Sequence, residues 1–423
     1  MTAQSLGAIH RQVMWTRLIA VVEEQAQALL RTAFGSIARE AGDLSAGVYD
    51  TDGRMLAQAV TGTPGHVNSM AMAVGHFLDR FPIDSMAPGD VFITNDPWMG
   101  TGHLFDYVIV TPAFPKDRPV ALFASTCHVA DVGGVGFTAD AKSVFEEGTL
   151  IPHMKIRDKQ GVKEDLFTII AANSRNPIEV KGDVRSLISC NDTGVARLAD
   201  MMAEFGLASL DELAEHILTA SETATRKAIA AVPDGTYRTE MTIDGYEAPI
   251  RLKASLEIRG DHALLDFTGS SPASGYGINS PKCYTDAYSV FGLKCAIAPD
   301  APNNAGSLCC FDVAAEPGSC VAPERPSPVT ARHVIGQMLP DLVFGCIEQA
   351  MPDQVPAESA GSIWVLAMAS AEKGVGSTPG ANRPATRFNV MNVGLGGVSV
   401  PVPNGTVSTP RPSRPGSARC RWR

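Results

Sequence analysis

Two apolar, β-branched runs on either side of a polar tip constrain the middle of this chain to fold as a β-hairpin. The runs are Tyr107–Thr111 and Val120–Ser125, and the polar tip spans 115–118. Short runs of this composition, separated by a polar turn, are typical of antiparallel strands. The sequence therefore predicts two adjacent strands joined at this tip.

The register of this hairpin brings metal-ligating residue types together. Asp106 and His128 flank the two runs, and each lies eleven residues from Asp117 at the tip. A hairpin symmetric about Asp117 places them opposite each other, with Cβ atoms about 5 Å apart. That separation suits two ligands of one metal ion, and His103 lies three residues before Asp106. The structural alternative is that His103 caps a loop and Asp106 fixes a turn.

Composition argues against two kinds of partner. The net charge of −10 and the absence of Lys/Arg blocks argue against nucleic acid, whose binding depends on phosphate neutralisation. The sequence has no run of eighteen uninterrupted apolar residues, so we expect no membrane span. The N-terminus also lacks the pattern of a secretion signal. We therefore expect a soluble, cytoplasmic protein.

The nine cysteines do not form a CxxC pair, and a reducing compartment would keep them as thiols. We expect buried structural thiols. Cys127 is the exception to consider, because it precedes His128 and could act as a nucleophile.

The apolar pattern along the rest of the chain predicts an α+β fold. Apolar residues recur at helical spacing over 8–40, with the helix ending near Gly42, and strand-like alternation covers 236–268. Further helices are predicted over Met70–Arg80, Glu164–Ala172, Val184–Glu204, Leu210–Val232, Cys283–Ile297 and Thr330–Met351. Strand pairs dominate over strand–helix alternation, so we expect mixed, mainly antiparallel sheets with long helices in a multi-domain chain.

The turn at Pro233-Asp234-Gly235 is the first candidate domain boundary. We predict an N-terminal, metal-bearing α+β domain over 1–232 and a β-rich, then helical domain over 233–393. From about Gly394 the chain is crowded with Pro, Ser and Arg. Such a composition cannot bury enough apolar surface to order itself, so 394–423 is predicted to be a disordered tail.

Eight stretches of the chain carry a family resemblance, in order from about residue 8 to residue 393. They read DLSAGVYDTDGRMLAQ, PGHVNSM, PGDVFITNDPWMGTGHLFD, CHVADVGG, FEEGTLIPHMKI, NSRNPIEVKGDVRS, DFTGSSPASGYGINSP and ARHVIGQ. Together they resemble the B subunit of the hydantoinase/oxoprolinase family. That family includes N-methylhydantoinase B, the C-terminal half of 5-oxoprolinase, caprolactamase, and subunits of acetone and acetophenone carboxylases.

The resemblance implies a metal site with four ligands. Carried over residue by residue, they are Asp43 in DLSAG, His103 and Asp106 in GHLFD, and His128 in CHVAD. Asp43 is assigned from its motif position alone. Two histidines and two carboxylates suit Zn²⁺, Mn²⁺ or Fe²⁺ and leave room for water or substrate.

Two further residues are catalytic candidates, each with a structural alternative. Asp131 could orient His128 or a metal-bound water, or it could cap the turn at Gly133. His66, in a loop before a helix, could bind substrate or move protons, or it could be a satisfied histidine near a helix start. Two departures from the family pattern, at Val129 and His153, could mark an altered substrate choice.

The resemblance also implies a reaction and a partner. The sequence has no GxxxxGK[ST] phosphate loop, and in the family ATP is used by a separate A subunit with an actin-like ATPase fold. We therefore expect the B subunit of an ATP-dependent cyclic-amide hydrolase, in which metal-activated water attacks a substrate phosphorylated by the A subunit. The alternatives are a subunit of an ATP-dependent ketone carboxylase and an inactive, truncated assembly subunit.

The end of the chain departs from the expected family pattern. The family would continue after FNVMNV with a Gly-rich segment and a further β-rich portion. Back-translating GGVSVPVPNGTVST with GC-rich codons and reading from each third base gives a segment close to that continuation. We therefore expect a reading-frame shift near Gly394–Gly397, which resequencing of the gene tests.

Overall fold

The computed structural model describes residues 7–60, 62–356, 366–369 and 387–390. It has the predicted α+β class, with mainly antiparallel sheets and long helices. Its strands are β1 (Leu44–Tyr49), β2 (Met55–Gln58), β3 (Val91–Thr94), β4 (Asp106–Ala113), β5 (Ala121–His128), β6 (Met154–Asp158), β7 (Gly161–Val162), β8 (Gly235–Ile243), β9 (Ile250–Arg259), β10 (His262–Asp266), β11 (Phe311–Ala314), β12 (Leu366–Ala369) and β13 (Arg387–Val390).

The described helices range from four residues in α2 to 29 residues in α6. They are α1 (Ala8–Thr32), α2 (Ser36–Arg39), α3 (Pro64–Arg80), α4 (Val144–Glu147), α5 (Glu164–Ala172), α6 (Pro177–Phe205), α7 (Asp211–Ile229), α8 (Lys282–Ile297), α9 (Ala305–Leu308), α10 (His333–Gly336) and α11 (Leu339–Ile347).

The central hairpin lies in the middle of a seven-stranded antiparallel sheet with the order β2-β1-β5-β4-β3-β6-β7. Every residue of β4 and β5 is buried, because helices cover both faces of this sheet. Successive side chains point to opposite faces of a strand. Thus Tyr107 and Ile109 pack in the core with α1 and α6, whereas Val108 and Val110 pack in the core with α3.

The predicted hairpin register is confirmed. In the β4–β5 pair, Asp106 lies directly opposite His128. β1 pairs with the other edge of β5, with Leu44 opposite Cys127, so Asp43 comes beside His128. The backbone N–H of His128 donates to the Asp43 carbonyl at 3.1 Å.

A second sheet, β11-β10-β9-β8, has its own apolar core with α8 and α11. Its β10–β11 pair is parallel, and its other pairs are antiparallel. Helix α8 also contacts α3, which joins this half of the fold to the helix that covers the central sheet.

Several helix boundaries differ from the prediction, and α6 begins at Pro177 rather than at Val184. Helix α1 ends at Thr32 rather than near Gly42, because the Asp183 carboxylate accepts hydrogen bonds from the N–H groups of Phe34 and Gly35. Helix α3 begins at Pro64, six residues earlier than predicted; proline suits the first turn, where its missing N–H has no partner to lose.

The predicted helix over Thr330–Met351 is two helices, α10 and α11. Pro340 lies in the first turn of α11. Proline cannot donate the backbone hydrogen bond that a continuous helix needs at this position. The segment before α10 stays irregular, and residues 329–332 belong to it.

The chain divides into two compact units. One contains the described residues through Pro356, and the other contains β12 and β13, which pair antiparallel. The predicted domains 1–232 and 233–393 stay predictions, and the tail at 394–423 lies outside the described residues. Among the helices that the structure describes, we find none that is long and apolar enough to cross a membrane.

Candidate metal centre

Five predicted site residues converge at one end of the central hairpin. Asp43 precedes β1, His66 lies in the first turn of α3, and His103 lies in the loop before β4. Asp106 is the first residue of β4 and His128 is the last of β5. All except Asp43 are buried, and the Asp43 side chain keeps 30% of its surface exposed.

Three of these residues present ligand atoms to a common point. His103 Nε2 lies 2.8 Å from Asp106 Oδ1, and His128 Nδ1 lies 3.5 Å from the same oxygen. One ligand atom from each of the three residues lies within 4.8 Å of the others, a grouping found nowhere else among the described residues. Two imidazoles and one carboxylate are a common ligand set for Zn²⁺ and Fe²⁺.

Asp43 and His66 flank this group. Asp43 Oδ2 lies 3.8 Å from His128 Nδ1, and Asp43 Oδ1 lies 3.5 Å from His66 Nδ1. His66 Nε2 lies 2.9 Å from Asp106 Oδ2. His66 therefore bridges the two carboxylates from a helix, rather than from the loop in which the sequence placed it.

The hydrogen bond at the far side of His103 fixes which of its ring nitrogens carries the proton. His103 Nδ1 lies 2.9 Å from the Thr330 carbonyl, which can only accept, so Nδ1 is the protonated nitrogen. Burial, together with the charge of Arg332, lowers the pKa of His103 to about 3, so the ring is neutral and Nε2 has a bare lone pair. That lone pair faces Asp106 Oδ1 at 2.8 Å, and neither buried atom has a hydrogen-bond partner within the described part of the chain.

Two lone pairs facing each other in a buried place repel unless a positive centre lies between them. A divalent cation supplies such a centre. A metal-binding histidine also commonly donates its other N–H to a backbone carbonyl, as His103 does. The residues therefore fit a metal ion at this point.

The second oxygen of Asp106 has its own partners. Asp106 Oδ2 accepts a hydrogen bond from Thr101 Oγ1 at 2.9 Å and one from the Arg332 guanidinium at 2.6 Å. Burial alone would raise the pKa of Asp106, but the neighbouring His66 and the charge of Arg332 hold it well below its usual range. Asp106 is thus an anion with one oxygen fixed and the other directed at the proposed ion.

Arg332 contacts the candidate ligand Asp106 but is not among the site residues predicted from the sequence. It is buried, and its guanidinium lies 4.1 Å from the Tyr284 ring centroid. Gly102 makes room for it, since a Cβ at this position would lie 2.5 Å from Arg332 Cδ. Its one sequence signal is its place in ARHVIGQ, one of the eight matching stretches.

Comparison with known protein families identifies the family of this chain. The family model described as Hydantoinase B/oxoprolinase matches residues 7–409. The chain belongs to the hydantoinase B/oxoprolinase family.

Similar proteins indicate how this family member relates to longer chains. A Pseudomonas sp. protein, provisionally named as the B subunit of a D-/L-hydantoinase, is 28% identical over 386 residues, which are 86% of this chain and 65% of that protein. The structure of ATP-dependent caprolactamase from Pseudomonas jessenii superposes with a TM-score of 0.79 at 26% identity and covers 87% of this chain and 64% of that chain.

Acetone carboxylase, in a nucleotide-free structure, has a TM-score of 0.78 at 17% identity, over 94% of this chain and 56% of that chain. This likeness concerns the fold alone. The chain spans less than two thirds of the length of each of these three proteins.

Asp131 of this hydantoinase B family member lies apart from the ligand group. Its carboxylate accepts hydrogen bonds from the backbone and guanidinium of Arg175, and from the Gly133 N–H at 3.2 Å. Burial raises the pKa of Asp131, but the bonds from Arg175 bring it below its usual value. These contacts support the turn-capping alternative, and the catalytic role of Asp131 stays a prediction.

The cysteines fit the structural expectation only in part. Cys127 is fully buried, and burial raises its pKa well above the usual value, so the reactive thiolate is disfavoured. Cys295 and Cys309 are exposed, so the expectation of burial is wrong for these two.

Aromatic rings surround the mouth of the family member's site. Phe105 stacks on His128 with ring centroids 5.3 Å apart, and the Phe137 ring lies 5.1 Å from His128 and 6.0 Å from His103. His333 stacks on Phe137 at 5.7 Å. The side chains of Asp43 and Phe137, which both lie close to His128, are partly exposed.

Proposed function

We propose that this chain is the metal-binding subunit of an ATP-dependent enzyme that hydrolyses cyclic amides. The observation that carries the proposal is the buried pair of facing lone pairs on His103 Nε2 and Asp106 Oδ1, 2.8 Å apart, in a chain of the hydantoinase B/oxoprolinase family. The ATP-dependent caprolactamase with the same fold acts on a cyclic amide by its name, which supports this substrate class.

His103 Nε2, Asp106 Oδ1 and His128 Nδ1 are the atoms that would hold the cation, with the Asp43 carboxylate beside His128. The donor set suits Zn²⁺, Mn²⁺ or Fe²⁺. A divalent cation lowers the pKa of water and thereby supplies a nucleophile for the amide carbon near neutral pH.

His66 is suited to move a proton during ring opening. Its Nδ1 is buried, has no hydrogen-bond partner among the described residues, and lies 3.5 Å from Asp43 Oδ1. Burial lowers the pKa of His66, but the carboxylates of Asp106 and Asp43 outweigh burial and raise it above the usual value. A histidine that holds a proton near neutral pH can give it to the leaving nitrogen.

Arg332 keeps the carboxylate of Asp106 deprotonated, which is the form that can bind a cation. Its charge, 2.6 Å from Asp106 Oδ2, favours the anion and fixes the plane of the carboxylate. Oδ1 is then free to face the histidine nitrogens. ATP use belongs to an A-type partner in this proposal, which phosphorylates the amide oxygen and makes the ring carbon electrophilic.

Metal analysis of the purified full-length protein tests the site. We expect stoichiometric Zn, Mn or Fe, retained by the control His76→Ala and lost by His103→Ala. His76 suits this control because its side chain is 37% exposed and lies outside the ligand group. Wild-type protein that takes up no transition metal after incubation with each of the three ions would overturn the proposal.

Reconstitution with an A-type ATPase subunit tests the reaction. We expect ATP hydrolysis that is stimulated by lactams or hydantoins and accompanied by ring opening. Stimulation by acetone or acetophenone, with carboxylated products, would instead assign the chain to a ketone carboxylase.

A further inference from the structure

Phe137 occupies an unusual position for a large apolar side chain. It keeps 44% of its surface exposed, yet its ring contacts the rings of both histidine ligands. His128, its nearest ligand, is only 8% exposed. Phe137 is therefore partly exposed to solvent and in contact with both histidine rings of the proposed ligand group.

The segment that carries Phe137 is held firmly. Val135 N–H donates to the Glu146 carbonyl at 2.9 Å, and Thr149 N–H donates to the Val132 carbonyl at 2.8 Å. Gly134 has a φ of +55°, and a Cβ there would lie 2.3 Å from the Glu146 carbonyl oxygen. Close packing at a glycine with this backbone fixes the path of the loop. The ring of Phe137 therefore forms a wall with a fixed position beside His103 and His128.

A second ring completes this wall. The His333 ring lies nearly parallel to Phe137, at an interplanar angle of 17°, and Phe105 packs edge-on to Phe137 at 5.3 Å. Arg175, whose guanidinium lies beside Gly136, bonds Asp131 and the Gly133 carbonyl. Arg332, the cation that contacts the ligand Asp106, is paired with that carboxylate. Among the contacts described here, the surface beside the ligands is therefore aromatic, and both of these cations already have a carboxylate partner.

We propose that Phe137 is a specificity-determining residue, whose ring packs against the uncharged ring of a cyclic-amide substrate beside the ligand group. This inference rests on the proposed function and names its substrate class more narrowly. A ring that bears a carboxylate, such as 5-oxoproline, would lose hydration against Phe137 without gaining a charged partner. An uncharged lactam or hydantoin gains apolar and aromatic contact at the same place.

Chemical modification of His128 tests the position of the wall without any enzymatic assay. Full-length, chelator-treated protein is exposed to diethyl pyrocarbonate, and carbethoxylation of His128 is followed by peptide mass spectrometry. We expect several-fold faster modification in Phe137→Ala than in wild type. Phe145→Ala is the matched control, because Phe145 is 81% exposed and lies on nearby α4. Equal rates in the two variants would overturn the inference.

Steady-state kinetics of the reconstituted complex tests the substrate class. We expect Phe137→Ala to raise KM for an uncharged lactam about tenfold with little change in kcat, and Phe137→Leu to recover part of the loss. Wild-type complex should prefer the lactam to 5-oxoproline. Equal or better turnover of 5-oxoproline would overturn the substrate assignment. A complex that opens neither ring would overturn the proposed function, while the modification result would still decide the position of the wall.

Discussion

The two oxygens of Asp106 have different neighbours. Oδ2 accepts hydrogen bonds from a hydroxyl and a guanidinium and lies 2.9 Å from His66 Nε2, whereas Oδ1 faces His103 and His128. The carboxylate and Arg332 form a buried ion pair, with side-chain exposures of 4% for Arg332 and 0% for Asp106. Burying either charge alone is costly, so each depends on the other.

Replacing Arg332 should reveal this dependence. In chelator-treated protein, Arg332→Met leaves Asp106 buried without its cation, and we expect the free energy of unfolding to fall by about 3–5 kcal/mol. Arg197→Met removes an exposed ion pair with Glu24 and should cost about 0–1 kcal/mol. Urea denaturation measures both. Equal losses in the two variants would contradict the buried-pair interpretation.

His333 should make the stability of the protein depend on pH. Burial, with the charge of Arg332, lowers its pKa from 6.5 to about 4. The unfolded chain therefore binds the proton first as pH falls, so this contribution is complete above pH 6.5 and is lost towards pH 4. His333→Phe keeps an aromatic ring but removes the titrating group. We therefore expect the fall in unfolding free energy between pH 6.5 and pH 4 to be about 1–3 kcal/mol smaller in this variant than in wild type. An identical pH profile in wild type and variant would contradict the lowered pKa.

At the scale of elements, the central hairpin explains why part of the site could be predicted. The alternation and polar tip fix which strand positions face each other, so the sequence predicted the Asp106–His128 pair that the structure contains. Local signals also place the start of α3: Pro64 marks its first turn, although the apolar pattern alone suggested Met70.

Contacts between distant segments could not be predicted from such patterns. Arg332 meets Asp106 across 226 residues of sequence, and the Thr330 carbonyl meets His103 across 227. No hydrophobic period or turn signal in the sequence predicts either contact. Both depend on how α10 and the segment before it pack against the central sheet. Asp43 was found only through its motif, since nothing local marks it as a ligand.

The loop after β5 allows the two interpretations of Asp131 to be separated. Asp131→Asn keeps an acceptor for the Gly133 N–H but loses the ion pair with Arg175. If Asp131 anchors the loop, the variant should lose about 1–3 kcal/mol of stability and show faster hydrogen exchange over 132–137. Its metal content should not change.

The control for this experiment is Asp140→Asn, because Asp140 is exposed and accepts its hydrogen bond from nearby Thr138. Hydrogen-exchange mass spectrometry compares the two variants. Unchanged exchange in Asp131→Asn together with lost turnover would favour the catalytic role instead.

At the scale of the whole described unit, the proposed ligand group is assembled from segments that lie far apart in the sequence. The seven-stranded sheet and α3 supply the ligands and His66, and the segment before α10 supplies Thr330 and Arg332. Glu147, at the end of α4, connects the loop after β5 to the segment before α10. Its Oε1 accepts hydrogen bonds from the N–H groups of Val329 and Thr330.

Removing Glu147 should therefore weaken metal binding although Glu147 is no ligand. Glu147→Ala leaves two buried N–H groups unpaired and frees the segment whose Thr330 carbonyl orients His103, so we expect metal affinity to fall by about tenfold or more. Glu147→Gln keeps an acceptor oxygen and should restore most of the affinity. Glu146→Ala serves as the control, since this neighbouring carboxylate is exposed.

Competition between the full-length protein and a chelating dye for Zn²⁺ measures these affinities. Burial raises the pKa of Glu147 to about 6, so the measurement belongs at about pH 7.5, where the wild-type group is the anion that the glutamine replaces. Hydrogen exchange over 329–332 should quicken in Glu147→Ala in parallel with the loss of affinity. If affinity stays at the level of Glu146→Ala while exchange quickens, then the orientation of His103 does not depend on this segment, and the ligand must be held by the central sheet alone.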